Sequence, residues 1–187
     1  MIKGIRKYVK NILLEMYDWE DCKKEMYWGI GGSGVVVLCT EDNTIYMQQR
    51  SYEVTGGQGQ WAFPAGGIHI GRSMFHDTPI EFPLDDNDPE FESNAFKELE
   101  EEAGKFGLPK YTLLESLITY EDCDFKFRTF IIDISLKEKK KWNPYPQPRH
   151  EWEVMDQGWF SSRNWRQQDI YFGFSPILIQ TIRKYLG

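Results

Sequence analysis

The sequence is poor in cysteine. Three occur in 187 residues, Cys22, Cys39 and Cys123, isolated and odd in number. They form no zinc pattern and no disulfide framework, so a reducing compartment is favoured and the expected location is cytoplasmic. Long apolar runs are also missing. No segment reaches the ~18 consecutive apolar residues of a membrane span. The basic start, Met1 to Lys7, lacks the long apolar region and cleavage site that would make it a signal. Positive charge is in short supply, with 22 Lys and Arg against 29 Asp and Glu and a net charge of −7. That balance argues against broad nucleic-acid or anionic-membrane binding. Internal repeats are absent as well.

What is present fits one globular domain over residues 1–187. The chain is 41% hydrophobic and 16% aromatic, enough to bury a real core. Ile5 to Trp19 reads as an amphipathic helix within an N-terminal extension of residues 1–25. Thr44 to Arg50 alternates like a strand, and Thr112 to Tyr120 and Phe125 to Ser135 read as two further β runs. Lys137 to Pro148 is charged and then Pro-rich, which predicts a solvated loop. Ser175-Pro176 is a cap with proline at the first helical position. It opens a C-terminal helix over 175–187 whose apolar residues include Ile177, Ile179, Ile182, Tyr185 and Leu186.

The chemistry concentrates in Lys97-Glu98-Leu99-Glu100-Glu101-Glu102-Ala103-Gly104. On a helix stepping ~100° per residue, Glu101 and Glu102 lie about −60° and +40° from Glu98. Glu98, Glu101 and Glu102 therefore share a face, with Glu100 on the far side. Three like charges on one face repel. A hard divalent cation wants such clustered oxygens and would relieve the strain. The competing interpretation is a solvated acidic stripe. Phe96, Leu99, Ala103 and Phe106 predict a buried face beside the carboxylates. Gly104, with Gly107 and Pro109 behind it, predicts the end of the helix. Upstream, Trp61-Ala62-Phe63-Pro64-Ala65-Gly66-Gly67 reads as a strand end feeding a tight loop, where glycine permits positive φ and close backbone approach to a ligand.

Loop and helix together resemble the Nudix hydrolase signature, Gly-x5-Glu-x7-Arg-Glu-U-x-Glu-Glu-x-Gly-U, with U a bulky aliphatic residue. Gly66 is the motif glycine, Glu98, Glu101, Glu102 and Gly104 match, and Leu99 is U. Lys97 stands for the arginine, Arg72 for the loop glutamate and Lys105 for the last U. Between Arg72 and Lys97 lie 24 residues where the motif has seven, an insertion of 17 at about 74–90 that should form a surface excursion. Glu90 or Glu92 is a candidate to replace the loop glutamate.

The resemblance implies an α/β/α sandwich around a mixed sheet. It implies Mg²⁺-dependent hydrolysis of a pyrophosphate bond in a nucleoside diphosphate linked to another moiety, with Mn²⁺ as a substitute metal. Metal ligands would be Glu98, Glu101, Glu102 and the backbone carbonyl of Ala65. Catalytic roles fall on Glu101, Lys97 and a late-loop acid, for which Glu153 is favoured over Glu151 and Asp156. Substrate contacts would come from Arg50, Gly66, Gly67 and Arg72. The partner is then a nucleotide-type small molecule such as a nucleotide sugar or ADP-ribose. Many members of that family form homodimers, which makes a homodimer a candidate state for this chain. The alternative is a catalytically weak or inactive nucleotide-binding module, motivated by Arg72, Lys97 and the insertion. His69, His76 and His150 show no zinc pattern. For Trp28, Trp61 and Phe127, core packing is favoured over stacking on a base.

Overall fold

The computed structural model describes residues 31–54, 56–68, 84–122, 125–171 and 175–187. The expected N-terminal helix, Arg72, His69, His76, Trp28 and most of the insertion lie outside these residues.

The sheet is seven-stranded and mixed. Strand β1 (Gly31–Cys39) is its centre, and all nine residues are buried, the mark of a strand covered on both faces. It runs parallel to β6 (Phe125–Asp133) on one side, and β5 (Thr112–Asp122) pairs beyond β6. On its other side β1 meets β2 (Thr44–Arg50) only at Leu38–Ile45 and Cys39–Thr44. The two strands then part. Strand β4 (Ala65–Ile68) continues along β1, and β3 (Trp61–Ala62) continues along β2. The far edge of β2 carries β7 (Val154–Ser161).

Period-two alternation divides the core between the two faces. Val35, Val37, Tyr46, Phe130 and Ile132 pack on helix α1 (Pro89–Ala103) through Phe91, Ala95, Leu99 and Ala103. Val36, Leu38, Ile45, Met47 and Ile131 pack on α3 (Pro176–Leu186) through Leu178, Ile182 and Leu186. The result is the expected sandwich of helix, mixed sheet and helix.

Local signals account for the helix ends. Asp88 caps α1 by accepting from the Glu90 N–H at 2.9 Å, with Pro89 in the first turn. Ser175 caps α3 by accepting from Leu178. Gly104 ends α1, and a Cβ there would press on the Glu100 carbonyl at 2.6 Å.

Four expectations need correction. Phe106 lies past the helix end and is 64% exposed, so the buried face runs through Phe91 and Ala95 instead. Lys137–Lys141 is not a loop but most of a short helix, α2 (Leu136–Lys141), capped by Ser135. The end of the supposed surface excursion belongs to the fold, because Leu84 is buried in the core and Pro89 and Glu90 start α1. On α3 Leu178 joins Ile182 and Leu186 in the core, whereas Ile177 is half exposed.

Candidate active site

The site forms where β1 and β2 part and the last turns of α1 meet β4. Gly66 and Gly67 sit in β4, paired with Ser33 and Gly32, rather than in a tight loop, and neither has positive φ. What Gly66 supplies is room. A Cβ there would fall 2.5 and 2.6 Å from the two carboxylate oxygens of Glu98, so only glycine lets Glu98 lie against the strand. The close approach is thus to the protein's own carboxylate. Asn94, one turn before Glu98, donates to the Gly66 carbonyl and to Ser33 Oγ, both at 3.1 Å, and pins α1 to β4.

Glu102 is buried, 7% exposed, in the same crevice. Burial first, then the charges of Glu98 and Glu153, push its carboxyl well above the usual carboxylate range. Arg50 and a hydrogen bond from the Ala65 N–H oppose them. Ala65 therefore touches Glu102 through its amide. Glu98 is pushed up too, by burial first; Lys97 works against this, while Glu101 and Glu153 add to it. Gln48 fixes the helix end by donating to the Glu102 carbonyl at 2.8 Å.

Arg50 and Glu153 both reach this crevice, which they line together with Gln48, Phe63 and Glu102. A register shift at Gln49/Arg50 marks the end of the β2–β7 ladder. The Arg50 Nε donates to the Gly56 carbonyl at 3.1 Å, and its guanidinium lies 4.9 Å from the Tyr171 ring centre. The rival acids sit elsewhere. Glu151 pairs with Lys105 at 2.8 Å, and Asp156 is exposed on β7.

Glu101 also faces inward, but cations from two elements hold its carboxylate. Lys97 lies 3.0 Å from Oε2 and Arg149 pairs with Oε1. Lys97 also reaches Glu98 at 3.3 Å. Burial works to lower the Lys97 pKa, but these carboxylates outweigh it and the ammonium is stabilised. The sequence did not reveal Arg149, Asn94 or His150 as neighbours of the acidic face. Trp61 packs edge-on against Phe160, with ring centres 4.7 Å apart, as expected for the core.

Among the described residues no three His, Cys, Asp or Glu side chains converge as a finished metal cage. The donor chemistry nevertheless suits a hard dication. Glu98, half-buried, and Glu102, buried, are oxygen donors; the Glu98 charge raises the proton affinity of Glu102, and Glu102 makes no salt bridge among the described residues.

No family model and no curated protein matches the chain. Solved structures do. A Nudix hydrolase from M. smegmatis, RenU, covers 84% of this chain and 86% of its own at 18% identity, with a TM-score of 0.58. The Nudix domain of Shewanella oneidensis NrtR, in complex with ADP ribose, covers 93% and 96% at 18% identity and a TM-score of 0.52. A MutT protein from Methanosarcina mazei covers 82% and 92% at 14% identity and a TM-score of 0.50. The chain has a Nudix-like α/β fold. No helix among the described residues is long and apolar enough to cross a membrane.

Proposed function

We propose that the protein is a Nudix-type pyrophosphohydrolase, cleaving a nucleoside diphosphate linked to another moiety with Mg²⁺ bound. The carrying observation is the Glu98–Glu102 pair, a half-buried and a buried carboxylate that desolvation and neighbouring acids hold above their usual range, Glu101 and Glu153 acting on Glu98 and Glu98 and Glu153 on Glu102. Retaining such a pair costs stability unless a cation neutralises it. Glu98 and Glu102, with the Ala65 carbonyl, would hold Mg²⁺ or Mn²⁺. When bound, the ion neutralises phosphate charge and makes water more acidic.

The remaining roles belong to the chain itself. Glu153 takes the proton of the attacking water; it lines the crevice with Glu102 and Arg50. Arg50 offers a guanidinium to phosphate oxygens, for which its planar fork is suited. Gly66 leaves room for Glu98 against the strand, and Gly66 and Gly67 stand as substrate contacts on the sequence pattern alone. Lys97 balances Glu98 and Glu101, and Glu101 completes the acidic face while tied to Lys97 and Arg149. Arg72 is retained as a phosphate contact from the sequence pattern alone. An ADP-ribose-like substrate is the first to try, because a structurally similar Nudix domain holds ADP ribose.

The second reading is a module that binds such a nucleotide without cleaving it. It is favoured by the engagement of Glu101, which leaves fewer open carboxylates. A substrate panel of ADP-ribose, nucleotide sugars and dinucleoside polyphosphates, assayed for products with Mg²⁺ or Mn²⁺, separates the two. Metal-dependent product supports the hydrolase. Saturable binding without product on every compound supports the module.

A further inference from the structure

The segment joining α2 to β7 crosses the end of α1. Its backbone is tied there by the Tyr145 N–H to the Ala103 carbonyl at 3.2 Å and the Gln147 N–H to the Glu101 carbonyl at 2.7 Å. These bonds satisfy carbonyls that a helix end leaves without partners. Arg149 adds a side-chain anchor on Glu101. The next turn is closed by the His150 N–H on the Gln147 carbonyl at 2.8 Å and the Glu153 N–H on the His150 carbonyl at 2.9 Å. The Trp152 indole N–H donates to the Arg149 carbonyl at 3.0 Å. The chain is therefore fixed from Tyr145 to Glu153.

His150 lies in the middle of this strap, between two acids. Its side chain is 18% exposed. Nδ1 is 2.7 Å from Glu153 Oε1, and Nε2 is 3.6 Å from Glu101 Oε2. Nε2 is buried and has no hydrogen-bond partner among the described residues. A carboxylate oxygen accepts, so the Nδ1–H donates to Glu153. Glu153 in turn faces Glu98 and Glu102, whose proton affinities its charge raises.

We propose that His150 is a positioning residue: its imidazole, seated between Glu101 of α1 and Glu153 of the strap, aims the Glu153 carboxylate into the crevice with Glu102 and Arg50. This rests on the hydrolase reading for its catalytic consequence, though not for its geometry. Without the ring, Glu153 keeps its place in the chain but loses the bond that selects one rotamer. Proton transfer depends on placement within hydrogen-bond reach, so the loss appears in turnover more than in substrate binding.

Three replacements test it. Asn places an amide nitrogen near the Nδ1 position and keeps a donor for Glu153. Gln reaches toward the Nε2 position and does not. Phe fills the space with no donor. His150→Phe and His150→Gln should lower kcat by roughly 10–100-fold, the scale of lost outer partners in metal sites, with KM nearly unchanged. His150→Asn should recover most of that loss. Equal activity of the Asn and Gln variants, or wild-type kcat in the Phe variant, overturns the proposal. A second readout is independent of turnover. In ¹⁵N-labelled protein, the His150 Nδ1–H should give a far-downfield proton signal that vanishes in Glu153→Ala. If wild type cleaves nothing on the panel, the hydrolase reading fails. This signal then still decides the positioning: its loss in Glu153→Ala supports the proposal, and an unchanged signal overturns it.

Discussion

Two short stretches of this chain are dense in charge of one sign, and the fold treats them in opposite ways. Lys137–Lys141 forms most of α2, which has no buried residue. Its one sheltered cation, Lys139, is well provided for. It reaches Asp42 and Thr44 at 2.6 Å each and sits 4.5 Å from the Trp159 ring centre. Burial tends to raise the Asp42 pKa, yet hydrogen bonds from Lys139 and Thr44 hold it below the usual range. Glu98, Glu101 and Glu102 of α1 are turned into the protein instead, with Glu100 left outside, and there the partners fall short of the charges. Glu101 is paired, whereas Glu98 and Glu102 are pushed up. Charge density is thus uninformative by itself. Burial without enough counter-charge separates a reactive cluster from a solvated one.

The comparison breaks first at Glu102. Glu102→Gln should reduce metal-dependent turnover by roughly 10²–10³-fold, as expected when several kcal/mol of metal-assisted charge stabilisation is lost. The protein should remain folded, checked by circular dichroism beside the kinetics. Leu99→Ala attacks the other face of the same helix. Leu99 is fully buried against β1 and β6, so its loss should cost about 2–5 kcal/mol in chemical denaturation. The two variants should separate cleanly, one losing chemistry and the other stability.

How much of this was legible in the sequence follows from the range of the interactions. The shared face of Glu98, Glu101 and Glu102 is set by helical period alone, and so was readable. The Asp88 cap was within reach, since Asp-Pro before a periodic run is a start signal; the length expected for the insertion hid it. The Ser175 cap was read directly. Arg149 and His150 were not legible, because their partner Glu101 is distant in sequence and the strap that unites them is tied by backbone hydrogen bonds. Gly66 was picked out for the wrong reason. Its need is for space against Glu98, which appears only when helix and strand are packed. The Pro-rich run after α2 obscured the helix before it, although Ser135 and Glu138 supply a capping arrangement.

Metal and pH sharpen the comparison further. In the unfolded chain Glu102 ionises near its ordinary value of 4.5, and in the fold its pKa is raised. A raised folded value contributes stability that is fully present below the ordinary pKa and is lost as pH rises through the folded one. With chelator present, the denaturation midpoint should therefore fall as pH increases from the acidic side. Mg²⁺ should restore it at high pH, since a ligand that binds only the folded state stabilises that state. Glu102→Gln should flatten the chelator curve and remove the Mg²⁺ response. A chelator curve identical in wild type and variant would show that Glu102 ionises freely in the fold.

The smallest effect belongs to α2. Lys139→Met removes the ammonium from Asp42, Thr44 and the Trp159 face while keeping most of the apolar stem. Asp42 is left on the surface, where water replaces the lost partner, so the cost should be about 1 kcal/mol or less. That cost should shrink in high salt, because partly exposed pairs are screened. Turnover should not change, since Lys139 lies on α2 and its partners Asp42, Thr44 and Trp159 are not among the crevice residues. Glu98→Gln, matched with it as a single charge removed from the other cluster, should behave in reverse. It relieves repulsion with Glu102, so the metal-free fold should be no less stable while turnover falls. If both substitutions altered stability alone, the two charged stretches would be equivalent surfaces and the contrast between them would disappear.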